Sequence, residues 1–260
     1  MVQTITDARV SVDVGHWRGW FGPHRISVVI PALNEAENLK QVLPRIPDWI
    51  DEVVLVDGHS TDDTIAVALE CLPSVKVVCQ KGQGKGEALR EGFTAASGDV
   101  IVMMDADGST DPTEIPLFVG ALVSGADFAK GTRFVQGGGS SDLGPLRRLG
   151  NLVFTVMFRV LFRNRCTDLC YGYNAFWASV IPVLRLDADG FDVEAQMNVR
   201  ALRAHLRVVE VPSYESERYR GVSHLNTFRD GWRVLATMLR EWLDQRYTTV
   251  RQPAKAAAEE

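Results

Sequence analysis

Within the first 104 residues four short runs are almost wholly apolar, and each breaks off into a polar segment followed by a helical pattern. The runs are ISVVI (26–30), EVVLV (52–56), VKVVC (75–79) and DVIVMM (99–104). Strands apolar on both sides are buried on both faces, and strands alternating with helical periods build a parallel sheet between two helical layers. After the first run, Asn34 and Glu37 read as a capping box ahead of Leu39, Val42, Leu43 and Ile46, which share one helical face. Thr61 to Leu72 and Gly86 to Ser97 supply two more crossover helices. ADFAKGTRF (126–134) adds a strand, and GGGSSDLGP (137–145) reads as a flexible loop. The expected class is α/β, with a mainly parallel central sheet and helices on both faces.

Composition narrows the function. With 46% apolar and 23% charged residues the 260-residue chain reads as an ordinary globular domain. Its net charge of −5 argues against nucleic acid as the main partner. LVFTVMF (152–158) is cut off by Arg159, far short of the roughly 18 residues a membrane span needs. Asp7 and Asp13 interrupt any basic-then-apolar leader, so the expected location is the cytoplasm. Four cysteines are too few and scattered for a disulfide framework. Cys166 and Cys170 lack a second ligand pair and read as buried or half-buried thiols rather than metal ligands. Between Arg133 and Arg165 the chain holds six arginines and one acid, Asp142, a local anion-binding face in an acidic protein.

Ligands of open parallel sheets bind at the carboxyl ends of the strands. Here those ends read PALNEAENL, DGHSTDDT, QKGQGKGEA and DADGSTDP, and carboxylates recur among them, with three of the four carrying more than one. Asp105 and Asp107, separated by the small Ala106, have room to share one hard divalent cation whose other positions go to diphosphate oxygens and water. A turn or helix cap is the ordinary role of such a pair; its place after a buried strand, beside the other polar ends, favours the metal. Ser109 offers a third oxygen or caps the next helix. Asp57 and Glu35, with Pro31, Ala32 and Asn34, are candidates for holding a nucleoside at the sheet edge. Lys81 and Lys85 stand in a glycine-rich segment that lacks P-loop spacing and reads either as a phosphate or sugar contact or as a flexible loop.

In order along the chain, VVIPALNEAENL, VDGHSTDDT, GKGEALREGF, MDADGSTDP, GTRF with GGG, DLCYGYNAFW and ERYRGVSHLN resemble family 2 glycosyltransferases, particularly the dolichyl- or polyprenyl-phosphate sugar synthases. The resemblance runs from about Ile26 to Arg240. It implies a GT-A fold, inverting transfer from a UDP- or GDP-linked sugar, and Mg2+ or Mn2+ at the DxD triplet. It places Asp57 and Glu35 at nucleoside positions, Asp105 and Asp107 at metal positions, and Ser109 where a glutamine ligand is common. It places Arg133, Arg148 and Arg218, with Arg147 adjacent, at acceptor or diphosphate positions, and His224 near the leaving phosphate. DGHS departs from the paired aspartates of many members. The implied organisation is one continuous domain: an N-terminal extension (1–24), a nucleotide-sugar-binding half (25–135), an acceptor-binding half with amphipathic helices (136–246) and a flexible tail (247–260).

A phosphate acceptor needs cationic clamps more than a base, and guanidinium groups bind phosphate bidentately. A hydroxyl acceptor, the rival reading, needs a general base, for which Asp192 or Glu194 is the candidate. A non-catalytic nucleotide-sugar binder is a third reading, opposed by the intact DxD and the arginines. Two amphipathic stretches, Arg147–Phe162 and Phe228 through Trp242, are expected to pack on the sheet, with a membrane surface as the alternative, which extends the expected location to the inner face of the cytoplasmic membrane.

Overall fold

The computed structural model describes residues 17–221 and 226–244. His224, the 247–260 tail and residues 1–16 of the N-terminal extension lie outside the described residues. A short helix α1 (Trp17–Trp20) precedes β1 (Ile26–Ala32), after which strands and helices alternate: α2 (Ala36–Val42), β2 (Glu52–Asp57), α3 (Thr64–Cys71), β3 (Lys76–Cys79), α4 (Lys85–Ala95), β4 (Val100–Met103), α5 (Ile115–Val123) and β5 (Phe128–Thr132). The second half contributes β6 (Gly139–Ser140), α6 (Pro145–Phe162), β7 (Asn174–Trp177), α7 (Ile181–Leu184), α8 (Val193–Arg203), β8 (Val208–Pro212), β9 (Tyr214–Glu215) and α9 (Thr227–Leu243).

Seven strands form one sheet in the order β3-β2-β1-β4-β7-β5-β8. All its described pairings are parallel except those of β7, which runs antiparallel to both β4 and β5. The apolar runs explain the layering. Val28, Ile30, Leu55, Val100 and Val102 face a core with Leu39, Val67 and Phe118 from α2, α3 and α5. Their neighbours Val29, Val54, Val56, Ile101 and Met103 face the opposite core with Leu89, Phe93, Val193 and Met197 from α4 and α8. This period-two division between two buried faces is why the strands lack a polar side.

Three expectations are corrected. Asn34 is no helix cap: α2 starts after Glu35 without a side-chain cap, and Asn34 adopts a left-handed φ of 57°. Its Oδ1 instead accepts the Thr61 amide at 2.8 Å, tying the β1 end to the β2 end. Segment 137–145 is not wholly loop, because β6 pairs in parallel with β9. Finally, α6 and α9 do not cover the sheet. They share a third small core with α8, formed by Phe158, Val199, Val234 and Met238, and each leaves an apolar stripe exposed.

Candidate active site

The β1 and β2 ends meet at Asp57. Its carboxylate is buried, and Oδ2 accepts the amides of His59 and Ser60, both at 3.1 Å. Oδ1 is buried without a hydrogen-bond partner. A buried acceptor left open is costly unless something fills it, so a ligand donor reaching this oxygen would satisfy it. Glu35, at the turn after β1, is also buried and accepts from the Asn38 side chain. The Ala32 carbonyl accepts the Gly58 amide at 2.8 Å, holding the two strand ends together at Pro31 and Ala32.

Lys85, the first residue of α4, is the centre of the next cluster. Its Nζ lies 2.6 Å from Asp105 Oδ1 and 2.8 Å from Glu194 Oε1, with the side chain 12% exposed. Burial alone would lower the Lys85 pKa, but these two carboxylates outweigh it and raise it, so the ammonium stays charged. The neighbouring glycines have a packing cause. A Cβ at Gly84 or Gly86 would overlap the backbone carbonyls of Asp189 or Ala188, and the Gly86 amide donates to Asp189 at 2.8 Å. The glycine-rich segment is therefore a close contact with residues 188–190, and Lys85 is fixed by it. Lys81 points elsewhere, to Glu91 at 3.0 Å.

Asp107 is held by the segment that precedes α9. Arg218 reaches Asp107 Oδ2 at 2.6 Å, and the Tyr219 amide donates to the Asp107 carbonyl at 3.1 Å. The Tyr219 hydroxyl accepts from Arg45 at 2.7 Å, and Arg45 also pairs with Asp111. Ser109 is buried, and its amide donates to Asp107 Oδ1 at 2.9 Å. Ala106 is buried between the two carboxylates' residues.

The structure separates the expected acceptor arginines. The Arg133 guanidinium is buried, bidentate to Asp168 at 2.7 and 2.9 Å and paired with Glu215 at 3.0 Å, over the Tyr171 ring. With Nε, NH1 and NH2 all engaged, it braces the end of β5 against Asp168 and β9, so the guanidinium that the resemblance places at an acceptor or diphosphate position is held here by protein carboxylates. Arg148 is exposed at the start of α6, 5.9 Å over the Phe134 ring, and Arg147 pairs loosely with Asp142 at 3.6 Å. Neither candidate base is free: Asp192 Oδ2 accepts the Thr237 hydroxyl at 2.7 Å, and Glu194 holds Lys85. Cys166 and Cys170 are unpaired, and burial pushes their thiols up to about 11 and about 12, which leaves them protonated.

Gly172, Arg45 and Tyr219 were not anticipated. A Cβ on Gly172 would meet Lys85 Nζ at 2.9 Å, Glu194 Oε1 at 3.2 Å and Asp105 Oδ2 at 3.3 Å, so the glycine is required by the charged trio. The YGY spelling around it was the available signal.

Asp105 and Asp107, 29% and 15% exposed at the side chain, are hard oxygen donors, each paired with one protein cation, and Asp105 shares its cation with Glu194. Among the described residues no group of three or more His, Cys, Asp and Glu side chains is gathered for a metal. The pair therefore fits a cation whose remaining ligands come from a diphosphate and water, rather than a closed protein cage.

The sequence profile of glycosyl transferase family 2 matches residues 27–182, more than half of the chain. The chain is 34% identical to the undecaprenyl-phosphate mannosyltransferase of Micrococcus luteus over 215 residues, covering 78% of this chain and 88% of that one. It is 33% identical to the dolichol-phosphate mannosyltransferase of Pyrococcus furiosus over 77% of its own length, and spans 59% of that relative. The fold matches glucosyl-3-phosphoglycerate synthase from Mycobacterium tuberculosis, solved with Mn2+, UDP-glucose and phosphoglyceric acid, with a TM-score of 0.72 and 25% identity over 90% of this chain and 85% of that one.

Proposed function

Since the chain belongs to glycosyl transferase family 2, has the GT-A fold and is a hexosyltransferase, we propose that it moves a hexose from a UDP- or GDP-linked donor to a polyprenyl phosphate, inverting the anomeric carbon. Asp57 Oδ1 takes the base, with Glu35, Pro31, Ala32 and Asn34 lining the nucleoside edge. Mg2+ or Mn2+ held by Asp105 and Asp107, with Ser109 adjacent, supplies charge neutralisation for the departing diphosphate. An acceptor phosphate oxygen forms the new bond to the anomeric carbon as the bond to the diphosphate breaks. Lys85 and Arg218 supply positive charge beside it, and Arg147 and Arg148 attract the acceptor phosphate. Positioning and electrostatics do the work, with no protein base required.

The observation that carries the lipid acceptor is the surface of α6 and α9. Leu149, Leu152 and Val160 on α6, and Phe228 and Trp232 on α9, are each more than half exposed. The α6 segment PLRRLGNLVFTVMFRVLF contains no acid. On α9 both acids, Asp230 and Glu241, are buried, whereas Arg229, Arg233 and Arg240 are 64%, 52% and 51% exposed. Apolar stripes on helices whose own exposed charged side chains are all cationic suit the surface of an anionic bilayer. No described helix is long and apolar enough to cross a membrane, and the α6–α9 surface is the contact assigned to a lipid substrate.

The second reading, a soluble acceptor, draws on the fold neighbour solved with phosphoglyceric acid. The engagement of Asp192 and Glu194 weighs against a hydroxyl acceptor that needs a base. The test is a panel of UDP- and GDP-hexoses with Mg2+ or Mn2+ and a short polyprenyl phosphate, read by product mass. Hexosyl polyprenyl phosphate is expected; transfer only to soluble hydroxyl or phosphate compounds sinks the lipid acceptor.

A further inference from the structure

Both carboxylates of the Asp105–Asp107 pair are occupied by cations of the protein itself, yet the two cations are held differently. Arg218 approaches Asp107 from a loop. Lys85 sits on α4, locked by the carbonyls of residues 188 and 189 behind it, with a second carboxylate, Glu194, on its other side. Glu194 is buried at 5% exposure, and its carboxylate has no described cation other than Lys85. Gly172 packs against all three groups and leaves no space for an added side chain among them. Lys85 therefore keeps an anionic partner whether or not it remains on Asp105.

We propose that Lys85, anchored by Glu194, is a resident competitor for the divalent cation at Asp105, so that the metal binds strongly only together with the donor diphosphate. The inference rests on Asp105 and Asp107 being the metal-holding carboxylates. A divalent cation entering alone meets Lys85 and Arg218 at close range in a half-buried site, where like charges repel more than in water. The diphosphate brings the negative charge that satisfies the metal and both displaced cations together. Metal and nucleotide then raise each other's affinity by one common factor. Glu194 is a positioning residue, keeping Lys85 beside the site rather than acting as a base.

The test is electron paramagnetic resonance titration of free Mn2+, without nucleotide, on wild type, Lys85→Met and the double variant Lys85→Met/Glu194→Gln. The double variant removes the uncompensated buried carboxylate that the single change leaves, and circular dichroism reports folding. Expected is at least about fivefold tighter Mn2+ binding in the folded variants than in wild type. UDP or GDP should tighten Mn2+ binding in wild type by more than in the variants. Unchanged or weaker Mn2+ affinity on loss of Lys85 overturns the inference, as does wild-type affinity that is the same with and without either nucleotide. Absence of Mn2+ binding in every form, with or without UDP or GDP, overturns the metal assignment itself.

Discussion

Arg218 closes on Asp107 at 2.6 Å, joining the loop that leads into α9 to the end of β4. One ion pair thus links the carboxylate pair in the sheet to the segment that carries the exposed helix. Substitution of either partner affects both sides of the site.

Asp105→Asn and Asp107→Asn keep the shape of the strand end but lose the charge that a divalent cation needs. Each should reduce hexose transfer at least about a hundredfold with unchanged circular dichroism. Near-normal metal-dependent turnover in either variant would refute the role assigned to the pair.

Arg133 should matter for stability rather than acceptor binding. Arg133→Met leaves Asp168 and Glu215 without their guanidinium partner, a loss of about 3–5 kcal/mol for a broken buried pair. Urea unfolding measures it. A variant as stable as wild type but with a raised KM for acceptor would return Arg133 to the phosphate site.

Acid should weaken the same brace. Burial raises the Asp168 pKa, but the hydrogen bond and charge of Arg133 outweigh it and hold the carboxyl below its usual range. A depressed folded pKa adds stability that is fully present above the unfolded value, about 3.9, and is lost as pH falls through the folded one. The stability gap between wild type and Asp168→Asn should therefore narrow as urea midpoints are taken from pH 6 down to pH 3. A gap that widens over that range contradicts the ion pair.

The acceptor readings differ in which residue hurts most. With a lipid phosphate, Arg148→Ala should raise acceptor KM about tenfold or more, the scale of a lost charge-assisted contact, and exceed the effect of Asp192→Asn. The opposite ranking favours a hydroxyl acceptor.

Phe228→Ser/Trp232→Ser should lower affinity for vesicles containing anionic lipid by at least about tenfold, given roughly 1.5–3 kcal/mol per buried large side chain. Sedimentation with vesicles measures it, and nucleotide binding should be unaltered. Equal pelleting of variant and wild type removes α9 from the membrane contact.

β1, β2 and β4 were legible because doubly buried strands leave no polar alternation to confuse with a helix, as Val28, Val29 and Ile30 show, whereas β3 is a half-exposed edge strand legible only from its apolar spelling. The placement of Asp57 and Asp105 at their ends followed from that. β7 was harder: NAFW is four residues long, and its strand character comes from pairing with β4 and β5. The glycines around Lys85 look like loop chemistry until Ala188 and Asp189, far along the chain, are brought against them. Arg133 looks like a phosphate clamp until Asp168 and Glu215 close around it. The exposure of α6 and α9 was equally hidden, since an apolar stripe spells the same whether it faces a core or a bilayer.

The position of β7 has a consequence for synthesis. Among the described residues β5 reaches β1 to β4 only through β7, since β4 and β5 each pair with β7 and not with one another. A nascent chain released at residue 173 has made both strands but lacks the one that joins them, leaving the β4 edge open. A fragment of residues 25–135 expressed alone lacks β7 as well, and should aggregate through the same open edge.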